Sequence, residues 1–364
     1  MVIDLRPRSE VDSMSVTITD SGAIVLDKVV CDGYLSGHKI RVITHVHSDH
    51  LWGIEESIRD SDLICATPAT KDLLEVMRGL YPPQIITPNY KVPFSYEVDT
   101  ITLFPSEHIL GAAQILVETQ RGDKYLYSSD FVYEKIQAIK CDILVLDATY
   151  GHPSCTRPPF SKVKDDLIKL VQSELESKNS IIILGFYGKL QEIMNLLHEA
   201  KIEVPFINPP KVYAVSKIHE KYNVPMGEFY SALSKMGKKV LKDQQYIGFY
   251  HPSFKPRVYE NTTYIHLTGW QFNIPYKKVG PKEYVVSFSG HADFKQLIKF
   301  VKESKPKLVI TDNARPGSAL KLAGEIKTML GIEARPEPAR NTLNQSNLLL
   351  RLRKRNSREF YQAI

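Results

Sequence analysis

The sequence predicts an α/β protein of two lobes, in which stacked αββα layers carry an inserted α/β lobe. Short strand-like segments alternate with segments of helical spacing along most of the chain. The pattern changes near residue 151, where long amphipathic stretches and a fully apolar strand begin. The length of 364 residues also exceeds what one ordinary core usually needs.

The first lobe is predicted mainly from short apolar segments bounded by turn residues. Residues 14–30 alternate and indicate two strands around a turn at 20–22, and 40–44 forms another strand. The helical segments are 54–60 and 69–79, the second opened by a cap near Thr70. The later strands are 99–104, 114–119, 124–128 and 142–147.

The second lobe begins with a predicted helix at 161–177. Residues 180–186 have the continuous apolar run of a strand buried in a parallel sheet, and a helix follows at 188–200. The closing elements are a strand at 284–288, a helix at 292–304, a strand at 307–311 and a helix at 317–330. We therefore expect a first domain part at 1–150, an inserted lobe at 151–283, a closing part at 284–335 and a basic tail at 336–364.

Composition sets limits on the class of protein. Lysine and arginine number 47 against 41 acidic residues, a formal charge of +6 that suits a polyanionic partner. The four cysteines form no Cys-x-x-Cys pair, and the chain contains neither a signal-peptide pattern nor a membrane-spanning apolar run. We expect free thiols, a cytoplasmic location and no membrane partner.

The most informative motif is the segment 45–50, which reads His-Val-His-Ser-Asp-His directly after a strand. Three imidazoles and one carboxylate lie within six residues. In a segment that passes from extended to turn, His45 and His47 can reach one metal while Asp49 and His50 turn toward a second. This ligand chemistry suits zinc, with manganese, iron or magnesium as alternatives.

Two further candidate ligands follow predicted strands. His108 lies in Ser-Glu-His-Ile-Leu-Gly, and Asp130 lies in Tyr-Ser-Ser-Asp-Phe. An aspartate in such a place is commonly a turn or cap residue. Together with the 45–50 segment, however, His108 and Asp130 complete the ligand set of a metal site.

Three later motifs also follow strands. Asp147 lies in Leu-Asp-Ala-Thr-Tyr-Gly, and Lys189 follows Gly188 at a helix start. Ser289 and His291 lie in Ser-Phe-Ser-Gly-His-Ala-Asp, between a strand and a helix. Each has an ordinary structural alternative: a turn cap, helix-start chemistry or a buried hydrogen-bonded histidine.

The order of these motifs resembles the metallo-β-lactamase superfamily, and the Asp147 and His291 motifs resemble its β-CASP branch of nucleic-acid-processing proteins. The resemblance covers nearly all of residues 15–330. It implies an αββα sandwich with an inserted lobe and two divalent metal ions, zinc first, at one sheet edge. The ligands that it implies are His45, His47 and His108 for one ion, Asp49 and His50 for the other, and Asp130 bridging both.

The resemblance also implies catalytic roles. Asp49 belongs to the catalytic set, Asp147 orients a neighbouring histidine, and His291 protonates the leaving oxygen as a general acid. Lys189 and Ser289 become candidates for substrate contact near the cleft.

One departure from the branch concerns nucleic-acid preference. RNA-directed members usually carry a further histidine after the strand that follows His291, and DNA-directed members commonly carry an apolar residue. This sequence has neither, because Asp312 stands there. Asp312 could bind metal in its place or cap the following helix. The missing histidine favours DNA. Resemblance to the DNA-directed members of the branch then implies a 5′-to-3′ exonuclease on single-stranded DNA, of the DNA-repair type.

Three alternatives remain open: an RNA-processing nuclease of the same branch, a non-catalytic nucleic-acid-binding scaffold, and a small-molecule hydrolase. The complete ligand set argues against a scaffold, and the inserted lobe argues against a small-molecule enzyme. The basic tail adds Arg353, Lys354 and Arg355 as candidate phosphate contacts. Such charge runs are, however, often only solvated.

Overall fold

The first of three sheets begins the fold in the computed structural model, which describes residues 16–253 and 261–339. Its six strands lie in chain order, antiparallel from β1 to β3 and parallel from β3 to β6. They are β1 (Val16–Ile18), β2 (Ile24–Leu26), β3 (Val29–Cys31), β4 (Ile40–Val42), β5 (Leu63–Cys65) and β6 (Ile85–Ile86). Two helices lie between β4 and β6: α1 (Ile54–Asp60) and α2 (Pro68–Arg78).

The second sheet starts as an antiparallel meander and packs face to face on the first. Its first strands are β7 (Phe94–Tyr96), β8 (Asp99–Pro105), β9 (Ala113–Glu118), β10 (Lys124–Tyr127) and β11 (Ile143–Leu146). β11 joins β10 in parallel. Apolar side chains of both sheets share one core, because alternate residues of each strand point into the space between them.

The third sheet forms the insert, which we define as residues 160–287. Its strands are β12 (Ser180–Leu184), β13 (Phe206–Asn208), β14 (Phe229–Ser231), β15 (Ile247–Tyr250), β16 (Thr262–Thr268), β17 (Tyr276–Gly280) and β18 (Glu283–Ser287). Four helices accompany them: α3 (Phe160–Glu176), α4 (Lys189–Glu199), α5 (Pro210–Lys221) and α6 (Lys235–Asp243). The strand order is β14-β13-β15-β12-β16-β18-β17, parallel except for β17.

The chain then returns to the second sheet through α7 (Phe294–Ser304), β19 (Leu308–Asp312), α8 (Ala319–Leu330) and β20 (Glu333–Glu337). β19 pairs in parallel with β11, and β20 extends the edge. Helices α7 and α8 cover the outer face of this sheet, and α2 covers the outer face of the first. The predicted αββα layering is therefore confirmed.

One predicted boundary differs. The sequence predicts that the closing part of the first domain begins with the strand at 284–288, but β18 is hydrogen-bonded to β16 and β17 in the third sheet. A mostly buried strand such as β18 suits the interior of the parallel third sheet as well as a sheet of the αββα sandwich, so its sequence does not decide between them. The return to the second sheet comes with α7.

The candidate site residues lie where strands end. The 45–50 segment follows β4, His108 lies between β8 and β9, and Asp130 follows β10. Asp147 follows β11, and the His291 motif follows β18. All four cysteines are free and buried. Within the described ranges, every helix is too short or too polar to cross a bilayer.

Candidate metal centre

The 45–50 segment folds back on itself after β4. A short 3₁₀ turn at Ser48–His50 redirects the chain, and the ring centroids of His45 and His50 come to lie 4.0 Å apart. Both rings are fully buried. This turn is what allows residues of one short segment to face the same point.

Asp130 lies at that point. Its Oδ2 is 3.3 Å from Nε2 of His50, 3.5 Å from Nε2 of His108, 3.6 Å from Nε2 of His45 and 3.8 Å from Nε2 of His291. A single carboxylate oxygen therefore faces four imidazole nitrogens. This arrangement suits a carboxylate that takes part in binding a divalent metal.

The donor atoms fit a metal ion. Nε2 of His45 and Nε2 of His50 are buried and have no hydrogen-bond partner among the described residues. Buried polar atoms are otherwise almost always satisfied, so two orphaned nitrogens in one place call for a ligand. The ligand atoms of His45, His47, His108 and Asp130 all lie within 4.8 Å of one another.

Hydrogen bonds on the far side of each ring set the tautomer. Nδ1 of His45 lies 3.1 Å from Thr44 Oγ1, and Nδ1 of His108 lies 2.6 Å from the carbonyl oxygen of Gly290. A ring that donates from Nδ1 presents a lone pair at Nε2. Outer hydrogen bonds of this kind are typical of metal-binding histidines.

His47 uses the opposite nitrogen. Its Nε2 lies 3.4 Å from the carbonyl oxygen of Tyr187, and its Nδ1 lies 2.9 Å from Nε2 of His108. When His47 donates to Tyr187, two lone pairs face each other at that short distance. A metal ion held by the two rings would remove this repulsion.

Burial sets the charge state of most of these groups. It lowers the pKa of His45 and of His108 well below the ordinary value, which favours the neutral, metal-binding form. Burial also acts to raise the pKa of Asp130, but the neighbouring His50 and His291 outweigh it and hold that pKa well below its usual range. Asp130 is thus a carboxylate.

His50 differs because carboxylates surround it. Burial and Arg315 act to lower its pKa, but Asp130, Asp32 and Asp49 outweigh them and raise it to about 10. Positive charge is therefore favoured at this position. A bound metal ion would supply that charge in place of the proton.

Asp32 was missed by the sequence reasoning. It follows β3, is fully buried, and its Oδ2 accepts from Nδ1 of His50 at 2.7 Å and from Oγ1 of Thr44 at 2.5 Å. Its Oδ1 accepts from the Thr44 amide at 2.8 Å. An aspartate directly after the apolar strand Val29–Cys31 was the available signal.

Asp49 lies on the open side of the cluster. Its Oδ2 is 3.7 Å from Nε2 of His50, and its side chain is 41% exposed. It is not among the most tightly converging ligand atoms of the described residues. The structure thus brings it beside the cluster and leaves it accessible to solvent.

Asp147 and His291 form a pair at the edge of the cluster. Oδ2 of Asp147 lies 3.0 Å from Nδ1 of His291, while its Oδ1 accepts from the amide and hydroxyl of Thr149. Asp147 therefore closes a turn and orients a histidine at once. Burial acts to lower the pKa of His291, but Asp130 and Asp147 outweigh it and raise that pKa.

Two of the candidate substrate contacts lie close by. Lys189 is the first residue of α4, and burial, with the charge of Arg157, lowers its pKa to about 8. Ser289 is buried, and its hydroxyl accepts from the His291 amide at 3.1 Å. The serine therefore helps to shape the His291 loop, whereas the ammonium group of Lys189 lies 5.7 Å from the centroid of the Phe186 ring.

Asp312 is engaged by an arginine and by two backbone amides. Its Oδ2 accepts from Nη1 of Arg315 at 2.7 Å, and its Oδ1 accepts from the amides of Ala314 and Arg315. It closes a turn rather than capping α8, whose N-cap residue is Ser318. Asp312 is also absent from the groups of converging ligand atoms among the described residues.

The candidate phosphate contacts of the tail lie outside the described residues. They are Arg353, Lys354 and Arg355.

Comparison with known proteins agrees with this geometry. Residues 278–335 match the family model described as "Zn-dependent metallo-hydrolase RNA specificity domain". That segment contains the His291 motif, whose ring lies beside the histidine and aspartate cluster. The chain belongs to the β-CASP branch of the metallo-β-lactamase superfamily. This β-CASP chain thus carries the fold and the donor set of a metal-dependent hydrolase.

Three curated relatives extend the comparison. The chain is 30% identical to an "Uncharacterized protein in lig 3'region" of Acidianus ambivalens, over 37% of this chain and 98% of that protein. It is 22% identical to a "Probable DNA ligase" of Opitutus terrae, over 74% of this chain and 26% of the ligase. It is 26% identical to "5' exonuclease Apollo" of Gallus gallus, over 75% of this chain and 58% of Apollo.

The β-CASP chain therefore spans about a quarter of the ligase and little more than half of Apollo. Among solved structures, a protein of unknown function from Enterococcus faecalis V583 aligns with a TM-score of 0.55 at 16% identity. The alignment covers 81% of this chain and 78% of that one. At this identity the likeness concerns the fold alone.

Proposed function

We propose that the chain is a metal-dependent nuclease that degrades single-stranded DNA from its 5′ end. The observation that carries the proposal is the convergence of four imidazole Nε2 atoms on Oδ2 of Asp130, at 3.3 to 3.8 Å. The cluster has cationic neighbours in Lys189 and Arg157, which favour binding of a phosphodiester.

The proposed ligands are those that the family resemblance implies: His45, His47 and His108 for one ion, Asp49 and His50 for the other, and Asp130 between them. Zinc suits these nitrogen and oxygen donors, with manganese or magnesium as alternatives. Divalent ions bound there would polarise water and offset the charge that develops on the phosphate.

The remaining chemistry belongs to the side chains. Asp147 accepts from Nδ1 of His291 and thereby turns Nε2 toward the cluster. The two nearby carboxylates favour the protonated ring, so His291 holds a proton that it donates to the leaving oxygen. The Lys189 ammonium group binds a phosphate oxygen of the substrate.

DNA is the favoured substrate for two reasons. The position at which RNA-directed members of the branch carry a histidine holds Asp312, which is engaged by Arg315. The relatives include a protein named as a DNA ligase and one named as a 5′ exonuclease. The second reason also supports the 5′-to-3′ direction.

An RNA-processing nuclease is the second candidate. The description of the matching family model names RNA specificity, and the match covers the segment 278–335 that contains β18, α7 and β19. The cluster around Asp130 would serve either nucleic acid, since the cleaved bond is the same.

The test is a timed digestion of 5′-labelled and 3′-labelled single strands of DNA and RNA with equal sequence. Reactions with chelator and with the Asp49→Ala variant control for contaminating nuclease. We expect chelator-sensitive release of mononucleotides from the 5′ label of DNA. Preferential cleavage of RNA would support the second candidate, and no cleavage of either strand would contradict the nuclease assignment.

His291→Ala tests the general acid separately. Removal of a positioned proton donor lowers turnover by roughly 10²- to 10⁴-fold while the metal content is retained. Full activity in this variant would exclude the proposed role.

A further inference from the structure

Two exposed aromatic rings lie at the carboxyl edge of the third sheet. Phe186 follows β12 and is 51% exposed, and Trp270 follows β16 and is 56% exposed. β12, β16 and β18 are adjacent parallel strands, so their carboxyl ends meet at one edge. Because β18 leads to His291, both rings lie at the edge that bears the candidate metal centre.

Trp270 is held in place although it is exposed. Its ring packs edge-on against the buried ring of Tyr150, with centroids 5.1 Å apart, and the Tyr150 ring lies 5.9 Å from that of His291. The Trp270 amide donates to Oγ1 of Thr268 at 3.1 Å. The indole is therefore in a fixed position beside the candidate general acid.

Gly269 and Arg157 fix the backbone of this loop. The carbonyl oxygen of Gly269 accepts from Nη1 of Arg157 at 3.1 Å, and Nη2 of Arg157 donates to the His291 carbonyl oxygen at 2.5 Å. A Cβ at position 269 would lie 1.8 Å from Oη of Tyr150, so only glycine permits this approach. The Arg157 guanidinium also lies 4.2 Å from the Tyr150 ring centroid.

Phe186 is linked to the cluster from the His47 side. Its ring lies 5.1 Å from that of His251, which in turn stacks on Tyr187 at 5.2 Å. The Tyr187 carbonyl oxygen is the partner of His47 Nε2. Nζ of Lys189 lies 5.7 Å from the Phe186 ring centroid, so a cation accompanies this ring as well.

We propose that Trp270 and Phe186 stack the unpaired bases of a single strand whose backbone passes the candidate metal centre. The inference rests on the proposed function, since it takes nucleic acid as the substrate. Exposed aromatic faces combined with nearby cations are the features by which proteins bind single strands irrespective of sequence. A duplex keeps its base faces covered, so the two rings select against it.

The charges beside the rings decide between a nucleic acid and a protein partner. Arg157 accompanies Trp270 and Lys189 accompanies Phe186, and both side chains carry positive charge. A polyanion neutralises that charge, whereas an apolar protein surface would desolvate it at a cost.

Fluorescence tests the proposal directly, because the chain contains only two tryptophans, Trp52 and Trp270. Trp52→Phe leaves Trp270 as the only tryptophan, and Asp49→Ala in the same chain prevents cleavage while metal is supplied. We expect saturable quenching by a single-stranded oligonucleotide and little response to a duplex of the same length. Unchanged fluorescence with the single strand, or equal quenching by the duplex, would overturn the proposal.

Affinity variants provide the second measurement. Trp270→Leu should weaken single-strand binding by roughly 5- to 150-fold, which corresponds to the loss of one stacked base. Trp270→Phe, which keeps an aromatic face, should retain most of the affinity, and Phe186→Leu should repeat the effect of Trp270→Leu. Equal affinities for the leucine and phenylalanine variants would overturn the stacking role.

The two proposals fail in different ways. Cleavage of DNA without quenching of Trp270 fluorescence would refute the stacking and leave the nuclease assignment standing. Quenching of Trp270 fluorescence without cleavage of DNA by the wild-type chain would refute the nuclease assignment and leave the stacking standing. Quenching that depends on protein concentration alone would assign the Trp270 surface to contact between copies and overturn the stacking proposal.

Discussion

Asp130 and the four imidazoles around it are an unfavourable arrangement for a folded chain without a ligand. Buried polar atoms lacking partners cost stability, and here Nε2 of His45 and of His50 are both in that position. Chains accept such costs where function requires them. The two unpartnered nitrogens therefore point to bound metal as the source of compensation.

Asp32 provides a first prediction at the scale of single residues. Asp32→Asn places an amide where the carboxylate accepts from both His50 and Thr44. Metal affinity should fall by roughly 10- to 100-fold with the fold intact, because the outer partner of a ligand sets its orientation. Competition with a chelator measures this affinity.

Asp99→Asn is the matched control. Asp99 is another buried carboxylate, and burial raises its pKa. It begins β8, whereas His108 follows the other end of that strand, about 20 Å away at the rise of a β-strand. Equal losses of metal affinity in both variants would show that Asp32 acts only through general stability.

Lys189 gives a prediction of pH dependence. Its lowered pKa of about 8 means that the ammonium group is present below that pH and is lost as the pH rises through it. We expect kcat/KM on oligonucleotides to fall above pH 8, by roughly 10- to 100-fold for one lost charged contact. Lys189→Arg should remove this fall, and Lys189→Met should have a low kcat/KM at every pH.

A fall of the same size and midpoint in wild type and in Lys189→Arg would assign the titration to another group. His291 is present in the wild type and in both Lys189 variants, so differences between their pH profiles report the titration of Lys189.

At the residue scale, the sequence predicted the residues of the candidate metal centre better than the residues that hold them in place. Five candidate ligands and the Asp147–His291 pair come together because each follows a strand or lies in a turn at one edge, and Asp49 lies beside them on the open side. Asp32 escaped notice because a lone aspartate after a strand is commonly a turn residue. The role of Asp312 stayed open at the sequence level because the partner that engages it, Arg315, is recognised only from the fold.

At the scale of elements, glycines set how closely loops approach the site. Gly290 precedes His291, and a Cβ there would lie 2.9 Å from Nδ1 of His108. Gly290→Ala should therefore displace the His108 ring and lower both metal affinity and turnover. Metal titration and steady-state kinetics measure the two effects.

Gly324→Ala is the control for Gly290→Ala. Gly324 lies on the exposed side of α8, and a Cβ there meets nothing within 4 Å. This change should raise stability by roughly 0.5–1 kcal/mol, because alanine favours the helix. Unchanged metal affinity in Gly290→Ala would mean that the His108 ring adapts without loss.

Element positions were largely predictable from the sequence, and element ends were less so. Helix α2 was expected from residue 69 with a cap near Thr70, whereas the cap is Thr67, whose Oγ1 accepts from the Thr70 amide. Pro68 at the first helical position was the overlooked signal. The short strand β20 at the sheet edge alternates only weakly, so its sequence resembles a loop.

At the scale of the whole molecule, Asp72 joins the first domain to the insert. Its Oδ2 accepts from Nζ of Lys221 at 2.7 Å and from Oη of Tyr222 at 2.7 Å. Asp72 lies on α2, and Lys221 ends α5. The contact helps to fix the insert relative to the ligands that follow β4.

Asp72→Ala should therefore affect long substrates more than short ones. We expect a loss of roughly 1 kcal/mol of stability, and slower cleavage of oligonucleotides with little change for bis-p-nitrophenyl phosphate. The matched control is Asp62→Ala, which removes an exposed ion pair with Lys39 inside the first domain. Equal slowing of both substrates would indicate damage to the metal centre instead.

The central claim is that cleavage depends on metal held around Asp130. The most direct measurement is native mass spectrometry of metal content, combined with cleavage of single-stranded DNA, on the same samples of wild type and Asp130→Asn. We predict two divalent ions per wild-type chain and an activity that rises with metal occupancy. The Asp130→Asn variant should lose the bound metal and the activity. Undiminished cleavage by wild-type protein stripped of metal would contradict the account.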